Sequence, residues 1–174
     1  MVKRHKVFYS FHYKNDAMRV AQIRNIGSIE GNSPVSPNNW EELKKTGDEA
    51  IKRWINKNME NTSCLIVLIG EETSKRKWVK YEIRHAYEKC KGLLGIYIHN
   101  IKDPQKVKEE YSGKCKQGDN PFELFTLNDG RKLSSIVKCY NPNSEDAYND
   151  IKKNIEKWVE NAIEKMNDFY ESQE

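Results

Sequence analysis

No stretch of this sequence is long and apolar enough to cross a membrane as a helix. The longest apolar run, Cys64 to Gly70, is of strand length, far short of the roughly 20 residues a span needs. The opening Met1-Val2-Lys3-Arg4-His5-Lys6 is basic, but only the short stretch Val7 to Phe11 follows it. That is not the pattern of a signal peptide, so the expected compartment is the cytoplasm. Cysteines are few: four, at 64, 90, 115 and 139, with no pair spaced as CxxC. A zinc knuckle and a dithiol redox motif are both excluded, and no other metal motif is evident. Cys64 and Cys90 fall in apolar patterns and read as core thiols. The glycines form neither GxGxxG nor GxxxxGK[ST], so a classical dinucleotide fingerprint and a P-loop are absent. RRM, KH, zinc-finger and helix-turn-helix signatures are absent too, so nucleic acid is not an expected partner.

What is present is a chain of 174 residues with 4 Trp, 9 Tyr and 5 Phe, enough apolar material for one good core. The net charge of +4 is unevenly spread. Residues 1–24 carry six basic residues and one acid, whereas residues 143–174 carry four Lys against nine acids. The segment Lys75–Lys91 holds seven basic residues and two acids. A basic patch can bind phosphates or nucleic acid; a solvated helix face is the simpler reading.

Hydrophobic periodicity gives the order of elements. Val7–Phe11 reads as a first buried strand. A helix is expected over 16–25 through Met18, Val20, Ile23 and Ile26, then a long Gly, Pro, Ser and Asn-rich loop over Gly27–Asn39. Trp40–Met59 reads as one helix with Leu43, Gly47, Ala50, Ile51, Trp54 and Ile55 on its stripe. Cys64–Ile69 is an unbroken apolar run, expected to be a central strand. Thr73 or Ser74 is placed to cap the next helix, which runs to about Cys90 with Val79, Ile83, Ala86 and Cys90 inward and ends at Gly92. Leu93–Ile98 is another buried strand, residues 102–135 are irregular, and Ile136–Tyr140 reads as a last strand. A long helix over 144–170 carries Ile151, Ile155, Trp158, Val159, Ala162, Met166 and Phe169.

Strands alternating with helices predict an α/β fold: a central, mainly parallel sheet with helices on both faces in three layers. Sites in such folds lie beyond the carboxyl ends of the strands, here Ser10–Tyr13, Gly70–Thr73 and His99–Asp103. One carboxylate stands near these ends. In Trp78-Val79-Lys80-Tyr81-Glu82-Ile83, helical geometry puts Glu82 roughly 70° from the middle of the apolar stripe, with Trp78 one turn earlier on the same flank. Glu82 is then either a cleft residue or the salt-bridge partner of Lys75, Lys80 or Lys89.

These residues carry a resemblance. Val7-Phe8-Tyr9-Ser10-Phe11-His12-Tyr13 with Asp16 resembles the opening strand and loop of TIR domains, and Trp78–Ile83 resembles their Trp-x-x-x-Glu-aliphatic motif. The match is most specific to the TIR-like sensor family of the bacterial Thoeris antiphage system. Shared features are Ser10–Tyr13, Arg19-Val20 with Arg24-Asn25, Trp40-Glu41, Lys44-Lys45-Thr46, Leu68-Ile69-Gly70, Trp78–Ile83 and Asn120-Pro121-Phe122. The likeness covers residues 4–125 and is weak beyond. Loop 27–39 has its own sequence.

The resemblance implies one TIR-like (flavodoxin-like) domain over 1–174, with an irregular insertion around 102–135. It implies NAD as substrate, no separate cofactor, and cleavage at the nicotinamide–ribose bond. In the enzymatic relatives the motif's glutamate is catalytic, which points to Glu82. Ser10, Phe11, His12, Trp40 and Trp78 are the candidate substrate contacts. His12 otherwise reads as an exposed loop histidine, Trp40 as a core residue, and Asn120-Pro121-Phe122 as a structural turn. The resemblance further implies a cyclic ADP-ribose-type signal that activates a separate effector protein, a phage component as trigger, and TIR–TIR assembly into a homo-oligomer. The rival classes are a non-catalytic TIR-like scaffold and a nucleotide-binding regulator of flavodoxin or receiver type. Fold alone does not decide among them, and Glu82 is the discriminating residue.

Overall fold

A computed structural model describes residues 4–32, 37–108 and 111–174. Five parallel strands form the main sheet: β1 (Lys6–Ser10), β2 (Glu30–Gly31), β3 (Cys64–Ile69), β4 (Gly92–Tyr97) and, beyond a two-stranded antiparallel hairpin of β5 (Val107–Lys108) and β6 (Tyr111–Ser112), β7 (Cys139–Tyr140). The order across the sheet is β2-β1-β3-β4-β7, so Cys64–Ile69 is central, as its apolar run predicts. It pairs with β1 from Val7 opposite Cys64 to Ser10 opposite Val67, and with β4 along its whole length. Both edge strands are two residues long, which leaves little unpaired backbone for another sheet to find. The expected last strand over Ile136–Tyr140 shrinks to Cys139–Tyr140, because Leu133–Ser135 forms a 3₁₀ turn whose backbone runs on into Val137.

Alternation along the strands builds two cores, one on each side of the sheet. Val7, Tyr9, Cys64, Ile66, Leu68, Leu94 and Ile96 face α1 (Tyr13–Arg24) and α5 (Ala147–Ser172). Phe8, Leu65, Val67, Ile69 and Leu93 face α3 (Asp48–Met59) and α4 (Lys77–Glu88), which follow α2 (Pro37–Lys45). Ile151, Ile155 and Val159 of α5 join the first core, while Met166 and Phe169 reach the second.

Further expectations are corrected. Trp40–Met59 is two helices, not one: Gly47 sits at φ +97, a conformation only glycine adopts cheaply, and ends α2 before α3 begins. The stripe misleads because Leu43, Ile51, Trp54 and Ile55 from both helices pack into the same core. In α1, Met18 is exposed, whereas Asp16 and Arg19 are buried. Arg19 donates to Asp16 Oδ1 at 3.0 Å and to the carbonyls of Ile101 and Gly113, each at 2.8 Å, so an ion pair ties the insertion to the helix. Asp16 packs so closely on Gly70 that a Cβ there would lie 2.1 Å from its Oδ2. Thr73 and Ser74 do not cap α4; Thr73 Oγ1 accepts from the Gly70 N–H at 2.8 Å and closes the turn after β3. Finally, Cys90 is exposed at φ +56 just past α4, and Gly92 begins β4 instead of ending the helix. Cys64 alone of that pair is a core thiol.

Candidate active site

A cavity of about 800 Å³ opens at the carboxyl end of β1. That is within the range of small-molecule sites. Of the three strand ends named from sequence, only Ser10–Tyr13 opens into it. Gly70–Thr73 is taken up by its own turn, and Asp103 caps a 3₁₀ turn by accepting from the Gln105 N–H at 2.9 Å. The segment 27–39, expected as a long loop, contributes Asn32; residues 33–36 lie outside the described residues.

Glu82 lies in the second turn of α4, on the wall of this cavity, and is only 7 % exposed. Among the described residues it has no ion pair, and the salt-bridge reading falls: Lys75, one of its expected partners, pairs with Glu72 at 2.9 Å. Burial pushes the Glu82 carboxyl up to about 8, with the neighbouring Ser10 hydroxyl pulling it slightly back. Neither Ser10 Oγ nor Glu82 Oε2 makes a hydrogen bond of full geometry among the described residues. An unpaired carboxyl walled into a cleft is costly, and such sites concentrate where function needs them.

The structure brings Phe11, His12, Trp40, Trp78 and Glu82 to one cavity; Ser10 stands behind Glu82 without lining it. Trp40 is half-buried, so the core and cavity readings both describe it. It stacks on Tyr13 at 6.0 Å, and Tyr13 stacks in turn on Phe11 at 5.8 Å. Trp54 closes this aromatic wall edge-on to Trp40 and Phe8. Trp78 packs edge-on against Tyr81. His12, expected either in the site or exposed, is 9 % exposed, and its Nδ1 has no partner among the described residues. Burial and then the nearby Arg76 guanidinium hold its pKa below the usual value, so it is neutral at pH 7. Asn120 caps its own turn and Phe122 fills the core, which makes that motif structural.

Sequence reasoning missed Lys14, Arg24, Asn32, Trp54 and Arg76 as cavity residues. Arg24 lies over Tyr9 and Phe11 at 5.1 and 5.9 Å and donates to the Asn32 carbonyl, while Asn32 Oδ1 accepts from the Tyr9 N–H at 3.0 Å. These contacts hold the cavity rim to β1. No local pattern marks them.

A five-stranded parallel sheet with helices on both faces, and a buried glutamate of a Trp-x-x-x-Glu motif facing a cleft at the end of the first strand, define a TIR-like domain. The family described as "Thoeris protein ThsB, TIR-like domain" matches residues 8–103. A Bacillus cereus (strain MSX-D12) protein named "Putative cyclic ADP-D-ribose synthase ThsB1" is 38% identical over 136 residues, which cover 74% of this chain and 68% of that protein. The chain belongs to the ThsB TIR-like family. No helix among the described residues is long and apolar enough to cross a membrane.

Proposed function

We propose that this chain cleaves NAD at the nicotinamide–ribose bond and joins the freed ribose carbon to another atom of the same nucleotide, giving a cyclic ADP-ribose-type signal for a separate effector protein. The family and the name of the Bacillus cereus relative support this reading. The observation that carries it is Glu82, a buried, unpaired carboxyl on the wall of an aromatic cavity large enough for a nucleotide. On this reading the site works in the cytoplasm, where NAD is abundant, and a phage component switches it on.

The chemistry asks little of the protein. The C–N bond breaks with its electron pair going to nicotinamide, which leaves neutral from a cationic precursor and needs no general acid. Positive charge builds on the ribose, as in glycoside cleavage. Ionised Glu82 stabilises that charge and hydrogen-bonds the ribose hydroxyls. The Phe11–Tyr13–Trp40 stack and Trp78 offer ring faces for adenine and nicotinamide and keep water from the cationic carbon. Ser10 steadies the Glu82 carboxyl, and His12 contacts the ribose or its phosphate.

The resting enzyme is nearly silent. With its pKa near 8, Glu82 is mostly protonated at pH 7, and a neutral carboxyl stabilises no cation. Incubation with NAD under inducing conditions, followed by mass spectrometry, is expected to show nicotinamide and a cyclic product from wild type and neither from Glu82→Gln. Full product formation by Glu82→Gln, or none by wild type under induction, overturns the reading.

A further inference from the structure

One side of the cavity is built to receive an anion. Two helices of 12 residues, α1 and α4, begin there: Tyr13, Lys14 and Asn15 of the first turn of α1, and Arg76, Trp78 and Val79 at the start of α4, line the same space. Neither helix has a side-chain cap; the N-cap positions are held by His12 and Arg76, whose side chains accept nothing from the first turn. The backbone N–H groups at such ends carry partial positive charge and lack intrahelical partners. Arg76 and Lys14 add two cations, and neither makes a salt bridge among the described residues. The polar side chain between them, His12, is nine-tenths buried, lines the cavity, and has an unpartnered Nδ1. That nitrogen is an independent sign of a missing ligand. The charges around His12 are mostly positive: after burial, Arg76, Lys14 and Lys106 lower its pKa, opposed by Glu72, which is itself engaged by Lys75. The carboxylates lining the cavity are Glu82, protonated at rest, and Glu41, which pairs with Lys44 at 3.6 Å.

We infer that Arg76, Lys14, His12 and the N-termini of α1 and α4 form a diphosphate subsite that anchors the pyrophosphate of the nucleotide. The inference rests on the proposed NAD reaction for its role, since a pyrophosphate held here would set the nicotinamide ribose against Glu82 on the same wall. Helix N-termini with adjoining cations are suited to this charge, and Arg presents a fork that matches phosphate oxygens. These residues act in binding and orientation, not in bond cleavage. They are the part of the site that accepts any nucleoside diphosphate, with or without nicotinamide.

ADP is the probe, with adenosine as the phosphate-free control, in calorimetric titrations of the full chain. Arg76→Gln is expected to weaken ADP binding about tenfold and Arg76→Gln with Lys14→Gln further, with adenosine binding unchanged. Raising salt should weaken ADP binding to wild type more steeply than to the double variant. In NAD turnover the variants raise KM and largely keep kcat, since a contact made equally in ground and transition states affects binding alone. Circular dichroism and an unchanged melting transition establish that the double variant folds; Arg84→Gln, on the exposed face of α4, controls for net charge. Equal ADP affinity in wild type and the folded double variant overturns the subsite, as does no ADP binding by wild type. The two proposals separate cleanly. Arg76-dependent ADP binding without NAD turnover keeps the subsite and sinks the reaction; NAD turnover with an unchanged KM in the double variant sinks the subsite and keeps the reaction.

Discussion

Glu82→Gln separates the catalytic reading from a structural one through pH as well as through activity. Glu82 is 7 % exposed, and its carboxyl is raised from 4.5 to about 8 by burial. The folded chain therefore holds this proton through a window in which the unfolded chain has lost it. Stability from this group is fully present below pH 4.5 and is lost as pH rises through about 8. At about 1.4 kcal/mol per pKa unit, the loss between pH 5 and pH 8 is about 3 kcal/mol. Glutamine keeps the shape and the neutral polarity of the protonated acid and does not titrate. The variant should match wild type near pH 5 and exceed it by about 3 kcal/mol at pH 8, or roughly 6–12 °C in Tm for a chain of this size. Calorimetric melting of both proteins from pH 5 to pH 8 measures the divergence directly. A surface glutamate would leave the melting transition almost unchanged on substitution; burial makes the change a pH-dependent gain. Turnover should meanwhile fall by a factor of about 10²–10³. Parallel Tm curves would show that Glu82 is ionised in the fold at neutral pH and refute the argument. A salt-bridged Glu82 would reverse the sign, with wild type gaining on the variant as pH rises.

The same proton sets the rate profile: kcat/KM should climb with pH to a limb near 8, and the limb in kcat should lie lower, because bound cationic substrate favours the carboxylate. A flat profile between pH 6 and pH 9 would contradict this. Arg19→Ala strands the buried Asp16 carboxylate and frees the Ile101 and Gly113 carbonyls, and should cost about 3–5 kcal/mol in denaturant unfolding, with faster proteolysis in the insertion. Arg19→Ala with Asp16→Asn should recover part of that loss. A thiol reagent under native conditions should modify exposed Cys90 first, read by peptide mapping, and spare Cys64, which lies in the central strand with its pKa raised by burial.

The parts of this fold legible in the sequence are those fixed by neighbours in the chain. Cys64–Ile69 announces a doubly covered strand because both of its faces must be apolar, and the stripe of α5 is correct from Ile151 to Phe169 because one face of the helix stays inward as it passes from the first core to the second. The errors arise where distant groups decide. Arg19 finds its acceptors 82 and 94 residues away, so nothing near Met18 shows that α1 turns an ion pair inward. Gly47 reads as a small residue on a stripe until its φ of +97 is known. In the site, Glu82, Trp78 and the residues from Ser10 to His12 are legible through a motif and a strand end. Arg76, Lys14 and Arg24 are not, because their common cavity exists only after β1, α1 and α4 are packed. The boundary position of Glu82 on a helical wheel is also correct as far as it goes; its burial at the cavity wall, beside the Ser10 hydroxyl, is set by tertiary packing.

What the packed structure adds to the motif is burial that keeps the Glu82 carboxyl mostly protonated at pH 7. A carboxyl with a pKa near 8 is ionised in roughly a tenth of molecules at pH 7. The surroundings that depress His12 are cationic, yet they do not rescue Glu82: the cations that reach His12 are Arg76, Lys14 and Lys106, while the contact that lowers Glu82 is the Ser10 hydroxyl alone. Positive charge beside Glu82 must therefore arrive with the substrate. A nicotinamide–ribose cation set there favours ionisation of the group that stabilises the cleavage transition state, whereas water or a neutral ligand does not. The free energy that ionises Glu82 comes from holding the remainder of the nucleotide, and the cationic helix ends that line the same cavity are where that binding is strongest. Substrate recognition and the charge state of the catalytic carboxyl are then one coupled step. Loosening the grip on the diphosphate raises KM, and removing the carboxyl removes the reaction.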